Sequence, residues 1–421
     1  MSQDVQRAIS AVYRIESPRL IAGLARMVRD VGLAEELAQD ALVIALEKWP
    51  ETGVPDNPGA WLMATAKRRA IDQLRRTKRV GEKHDALQQD LEAERSDPQQ
   101  QIAEALDDDV GDDLLRLVFT SCHPVLSSEA RVALTLRLLG GLESTEIARA
   151  FLVPEPTIQQ RIVRAKRTLA DANVPFEVPH GDELRARLGS VLEVVYLIFN
   201  EGYSATTGSD WMRPALCEDA LRLGRILAEL MPRESEVHGL VSLMEIQASR
   251  TRARSGPNGE IVLLLEQNRG RWDRILIARG LNALARAIGV APDGLGPYAL
   301  QAAIAACHAR ARTADDTNFV EIARLYGELA TITPSPIVEL NRAVAVSRAY
   351  GPARGLELVD ALRDEPALAH YHLLPSVRGD FLHKLGRDDE ARLEFARAAS
   401  LTRNERERQL LLARAKKLTS G

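Results

Sequence analysis

The chain has 421 residues and a formal net charge of −4; it is 45% hydrophobic, 4% aromatic and rich in Ala, Leu and Arg, which suits roughly two to four helical domains and argues against alternating β-branched strands. Its longest apolar runs, such as Val194 to Phe199, fall well short of the ~20 residues of a membrane span, and the opening MSQDVQRAIS has no apolar export core, so a cytoplasmic location with no membrane partner is expected. Three cysteines (Cys122, Cys217 and Cys307) with no CxxC pair argue against a disulfide framework or a zinc ribbon, and Cys122-His123 reads as two ordinary helix residues, so no metal and no cofactor is expected.

Residues 1–80 read as one compact helical domain, with helices predicted over 4–14, 18–30, 33–49 and 58–79. Pro50, Pro55, Asn57 and Pro58 punctuate the turn before the last, with Asn57 suited to cap it and Pro58 to start it. In 33–49, Leu33, Leu37, Ala41 and Ile44 form an apolar stripe, while Glu36, Gln39, Asp40, Val43 and Glu47 share another face. That mixed second face suits either docking on a partner or plain solvation. In 60–79, Met63, Ala66, Ala70 and Leu74 can line a core, while Trp61, Thr65, Arg68, Asp72, Arg75 and Arg79 fall near another face. A tryptophan at the head of a basic helix suits single-stranded or melting DNA, by stacking and phosphate contact; Trp61 also suits a core position.

Trp61 to Val80 holds seven Lys/Arg, among them Lys67 and Arg76, against one acid, whereas Gly81 to Asp113 holds twelve Asp/Glu against Lys83 and Arg95. Charge acts locally, within a Debye length of about 8 Å, so the small net charge hides a basic block followed by an acidic one. Residues 81–110 therefore read as a linker with too little apolar surface to fold alone.

Residues 111–172 read as a second small helical domain: DDLLRLVFTSC, then SSEARVALTLRLLG capped by Ser127 or Ser128 and closed by Gly140-Gly141, then two helices joined by a short turn. The second of these carries Thr157, Gln159, Gln160, Arg161, Arg164, Lys166 and Arg167, with Pro156 in its first turn. This is the layout of a helix-turn-helix whose second helix enters the DNA major groove. Glutamine pairs with adenine edges and arginine with guanine; Arg167 and Arg131 suit phosphate contact.

Residues 173–185 form a Pro/Gly-containing hinge before a long region, 180–421, expected to be helical throughout. From about residue 320 it repeats. Gly351 and Gly386, 35 residues apart, each lead into an amphipathic helix, and Pro375, Gly379, Gly386, Ala391, Phe395 and Ala398 resemble a tetratricopeptide repeat. In the first copy Leu356 replaces the expected Ala, and 405–418 suits a polar cap. Glu201 in FNEGY has no partner acid, base or nucleophile near it in sequence, so no catalytic residue is assigned and an enzyme is not expected.

The order of these pieces resembles bacterial sigma factors of the sigma-70 superfamily, in the extracytoplasmic-function (ECF) class, over about residues 5–172. AEELAQDALVIALEKW looks like the helix that grips the polymerase clamp, NPGAWLMATAKRRAIDQLRR like the element that opens and reads the minus-ten region, and LESTEIARAFLVPEPTIQQRIVRAKRTL like the domain that reads minus-thirty-five. The resemblance implies an all-α protein: sigma region 2 over 1–80, an acidic linker over 81–110, region 4 over 111–172 and a helical extension over 180–421. It implies that Glu36, Gln39, Asp40, Val43 and Glu47 meet the beta-prime clamp of RNA polymerase core enzyme. Trp61, Thr65, Lys67, Arg68, Arg75 and Arg76 would meet single-stranded minus-ten DNA, and residues 157–167 named above the minus-thirty-five duplex. Arg68 stands where the family often has Asn, and Leu152 where it often has Gly, which suggests a turn set by Val153-Pro154. With YLIFNEGYSA and LCEDALRLGRIL, the long extension resembles one subgroup, and implies regulation by the extension rather than by a membrane anti-sigma partner. A protein partner on the repeats is expected on fold analogy. The acidic linker suits a mimic of nucleic acid in the polymerase's basic channels. The alternative reading is a polymerase-independent helix-turn-helix regulator with a sensing helical domain.

Overall fold

The computed structural model describes residues 3–82, 110–204, 212–256, 260, 262–402 and 405–418; most of the acidic stretch, 83–109, lies outside the described residues. Among those described, the regular structure is helical, with 18 α-helices, a few short 3₁₀ turns and no strand. The chain folds as two compact units, Met1–Leu197 and Ile198–Gly421.

The first unit begins with α1 (Gln3–Val28), a single helix where the sequence pattern predicts two. Pro18 removes one backbone donor at a cost of roughly 3 kcal/mol. The residues after it offset that cost: Leu20, Ile21, Ala22, Leu24 and Ala25 are all buried. Arg29 adopts a left-handed conformation, φ 55°, that ends the helix. Asp30 then caps α2 (Val31–Thr52) by accepting from the Leu33 amide at 2.9 Å. Asn57 caps α3 (Pro58–Glu82) in the same way, accepting from the Ala60 amide at 3.0 Å.

Four further helices follow: α4 (Val110–Ser121), α5 (Ser128–Leu138), α6 (Ser144–Phe151) and α7 (Glu155–Asp171). Ser127 is the cap of α5, and Glu143 with Glu146 forms a reciprocal capping box at α6. The α6–α7 turn corrects the expectation from sequence. Leu152 itself takes the left-handed conformation, φ 52° ψ 42°, where Val153-Pro154 was expected to set the turn. A leucine there costs about 1 kcal/mol; burial of Ile147, Ala148, Ile158 and Ile162 on the two helices offsets it.

Helix α8 (Gly181–Tyr203) belongs with the first unit up to Leu197. There Arg187 donates to the Phe119 carbonyl at 2.9 Å and Ser190 to the Cys122 carbonyl at 2.7 Å.

In the second unit Tyr203 heads a stack of rings and guanidinium groups. Arg254 lies 3.5 Å from the Tyr203 ring centre, Arg250 sits 5.9 Å from Tyr203 and 6.0 Å from Trp272, and Arg269 is 4.7 Å from Trp272. Burial and the neighbouring Arg250 and Arg269 charges push His308 down to about 4. Next come α9 (Pro214–Leu230), α10 (Ser235–Ala248), α11 (Arg274–Gly289) and α12 (Pro297–Arg310). At the α10–α12 crossing, a Cβ on Gly239 would lie 2.6 Å from the Ala299 backbone nitrogen. Gly239→Ala is therefore expected to destabilise this unit by about 1–3 kcal/mol; an unchanged urea midpoint would show that the crossing is looser than described.

Helices α13 (Phe319–Ile332), α14 (Pro336–Tyr350), α15 (Pro352–Asp360), α16 (Leu373–Lys384), α17 (Asp388–Leu401) and α18 (Glu405–Lys417) complete the unit as successive hairpins. Gly379 on α16 faces Phe395 on α17, with a built Cβ 3.0 Å from the ring. In the preceding hairpin the corresponding close approach is made by Gly355, 2.5 Å from Ser347 Cβ, while its neighbour Leu356 points into the core. The repeat spacing points to Leu356 and passes over Gly355. Leu411 and Ala415 of α18 close the same core.

Candidate nucleic-acid interface

Helix α7 buries Ile158, Ile162, Ala165 and Leu169 against its own domain. That 3–4 spacing turns Thr157, Gln159, Gln160, Arg164 and Arg167 to solvent, along with Val163, which is 63% exposed. Gln159 donates to Glu155 at 2.8 Å, and Arg167 pairs loosely with Asp171 at 3.5 Å. Arg161 is half-buried, and its charge helps to hold the Glu129 carboxyl low, behind hydrogen bonds at the α5 N-terminus.

Two basic residues suited to DNA contact are engaged elsewhere. Lys166 forms an ion pair with the buried carboxylate of Glu35 on α2. Arg131, only 12% exposed, bonds Ser190 and pairs with Glu193 at 3.2 Å on α8.

On α3 Trp61, Thr65, Arg68, Asp72 and Arg75 recur at 3–4 spacing, none is buried, and both arginines are exposed, while the side chain of Arg79, expected on the same face, lies outside the described residues. Trp61 is half-buried and meets Trp49 edge-on, ring centres 5.3 Å apart, so one edge serves the core and the other reaches solvent. Leu62, Met63, Ala66 and Ala70 line the core side. Lys67 departs from the group: it sits beside Arg26 and Asp113, and burial, with Arg26 adding, pushes its ammonium below the usual lysine range. The side chain of Arg76 lies outside the described residues.

On α2 Glu36, Val43 and Glu47 are exposed, and Gln39 and Asp40 half-exposed. Gln39 donates to Glu35 at 2.8 Å. Asp40 pairs with Arg69 of α3 at 2.8 Å, both side chains 49% exposed. Glu36, Asp40, Val43 and Glu47 therefore form one outward stripe, backed by buried Ala34, Leu37, Ala38, Ala41 and Ala45.

The cysteine and histidine residues weighed from sequence are locally occupied. Cys122 is buried against Thr135 Oγ1 at 3.3 Å, and that burial pushes its thiol up, while His123 accepts from the Val125 amide at 3.2 Å. Glu201 pairs with Arg213, both largely buried.

Sequence reasoning missed Glu35, which is 4% exposed. It stands beside Glu36 in an ordinary-looking acidic helix, and its cationic partners are 102 and 131 residues away, so no local signal marks it. Arg69, Arg26 and Trp49 were missed for the same reason.

Comparison with known proteins matches residues 12–80 to Sigma-70 region 2, 116–169 to Sigma-70 region 4, and 187–288 to a family of unknown function, DUF6596. An uncharacterized protein of Rhizobium meliloti is 42% identical over 392 residues, 93% of this chain and 91% of that protein. The ECF RNA polymerase sigma factor SigK of Mycobacterium ulcerans is 30% identical over 173 residues, 38% of this chain and 83% of the relative. SigK of Mycobacterium tuberculosis is 29% identical over 168 residues, 39% of this chain and 84% of the relative.

Proposed function

Since the chain belongs to the ECF sigma factors of the sigma-70 superfamily, we propose that it grips the beta-prime clamp of RNA polymerase core enzyme through α2, holds melted minus-ten DNA on α3, and reads the minus-thirty-five duplex with α7. Residues 1–80 act as region 2, 81–110 as an acidic linker and 111–172 as region 4. The helical extension, 180–421, regulates the factor, with a protein partner on its repeats. The observation that carries this reading is the outward stripe of α7: three neutral hydrogen-bonding side chains, Thr157, Gln159 and Gln160, run into Arg164 and Arg167 on a helix whose opposite side is buried. Mixed donors and acceptors ahead of cations suit base edges flanked by phosphates.

The clamp assignment is tested by Asp40→Ala. Its partner Arg69 is equally exposed, and surface pairs of this kind contribute less than about 1 kcal/mol to folding. A change in core binding therefore reports on the interface and not on the fold. Affinity for core polymerase is expected to fall about tenfold, about 1.4 kcal/mol, with minus-thirty-five duplex binding unchanged. Normal core binding would remove α2 from the clamp contact. A full chain that binds promoter duplex but not core would instead favour the polymerase-independent regulator.

A further inference from the structure

Within the second unit, α9, α10 and α11 line a cleft of about 730 Å³, inside the ~300–1,000 Å³ range of small-molecule sites. It lies almost entirely within the stretch matched to the family of unknown function. Its apolar lining includes the buried Val241 of α10 and Ala283 of α11. A Cβ on Gly280 of α11 would lie 2.6 Å from Ile246 Cγ1 and 3.2 Å from the Ser242 carbonyl oxygen. Helices α10 and α11 therefore meet with no space for a side chain, and the cleft walls are held by packing rather than by loops.

The α11 wall carries cations. Arg279, Asn282 and Arg286 line the cleft and recur at 3–4 spacing, so they share one face. All three are exposed, and none makes a hydrogen bond or ion pair to another described residue. The α10 wall carries an incomplete carboxylate. Glu245 has a side chain only 2% exposed. Arg225 of α9 brings Nε and Nη2 to its Oε1, at 2.8 Å and 2.7 Å. Oε2 is left buried with no hydrogen-bond partner, an arrangement that folded proteins rarely keep without a use. Glu229 of α9 also lines the cleft and is exposed, a second acceptor. Solvated arginines alone would be an ordinary helix face; beside a buried, half-satisfied acceptor they make a site with two unlike ends.

We infer that this cleft binds a small metabolite that is anionic at one end, through a carboxylate or a phosphate, and carries a hydroxyl or ammonium donor at the other. The guanidinium groups of Arg279 and Arg286 match either anion with paired N–H donors, and Asn282 adds an amide donor between them on the helix. The donor end completes Glu245. The extension is thus a receptor for a small molecule, at a place distinct from the hairpins beyond residue 320, and the site stands whether or not the first unit acts as a sigma factor.

The test titrates the full chain by calorimetry with two matched pairs of probes. One is glutamate against glutarate, which lacks the ammonium. The other is glucose 6-phosphate against inorganic phosphate, which lacks the hydroxyl-bearing body. The donor-bearing member of at least one pair is expected to bind at sub-millimolar concentration, about tenfold or more tighter than its counterpart. The pair that responds tells carboxylate from phosphate. Arg279→Ala and Arg286→Ala are each expected to weaken that binding about tenfold. Arg274→Ala, at an exposed position of the same helix outside the cleft, is expected to leave it unchanged. All three positions are exposed, so these substitutions cost the fold little. Glu245→Gln keeps an oxygen for Arg225 and places an amide donor at the Oε2 corner; it is expected to abolish the preference for the donor-bearing probe, with thermal melting as the check on folding. No binding by any probe below about 1 mM, equal binding within both pairs, an equal loss from Arg274→Ala, or binding of a polyglutamate peptide alone would each overturn the site.

Discussion

Gln160→Ala with Arg164→Ala is expected to lower promoter-dependent initiation by a factor of about 30 to 10⁴ while core binding stays intact. Both side chains are exposed and four residues apart on α7, and neither makes a hydrogen bond or ion pair to another described residue. Their removal therefore costs the fold almost nothing, since surface substitutions of this kind usually fall within ±0.5 kcal/mol. A well-placed glutamine or arginine on a base edge contributes about 1–3 kcal/mol, so the two together account for about 2–6 kcal/mol. Lys166 and Arg131 would make poor substitutes in this experiment, because each is tied to a carboxylate elsewhere in the chain. Footprinting and run-off transcription on one promoter provide the check. Initiation within threefold of the unaltered protein would mean that this stripe of α7 does not read the upstream duplex.

Phe395→Ala is expected to destabilise the C-terminal hairpins by about 3–5 kcal/mol. The ring is 1% exposed, lies under Gly379 and carries the Arg414 guanidinium 4.5 Å from its centre. It therefore links α16, α17 and α18 at one point. No smaller side chain can fill the space, because the glycine backbone opposite has nothing to extend into it. A domain is usually stable by only about 5–15 kcal/mol, so the loss should appear as a separate early transition in urea unfolding and as proteolysis within 373–417. A shift below about 1 kcal/mol would mean that the hairpins repack around the gap.

The parts of the molecule written in short-range chemistry could be read from the sequence. Asn57 before Pro58, and Ser127 or Ser128 before an apolar run, placed two helix starts to within a residue, because capping is a contact between residues three apart. On α7 the run of polar and basic residues was legible, but not which of them face outward: Lys166 reads like its neighbours and is tied to Glu35. What escaped depends on distant partners. Pro18 reads as a break in the sequence because the apolar cluster that carries the helix through it is assembled in three dimensions. Leu152 looks unsuited to a left-handed turn, yet packing of α6 on α7 imposes it. Lys67 looks like one more cation on a basic helix until α1 and α4 close over it. Glu35 looks solvated, and is the most enclosed carboxylate of α2.

The enclosure of Glu35 also ties three positions together. A buried carboxylate stripped of its cations costs about 3–5 kcal/mol, so Arg137 and Lys166 cannot both be lost while Glu35 stays. Among relatives the three positions are therefore expected to change together or not at all.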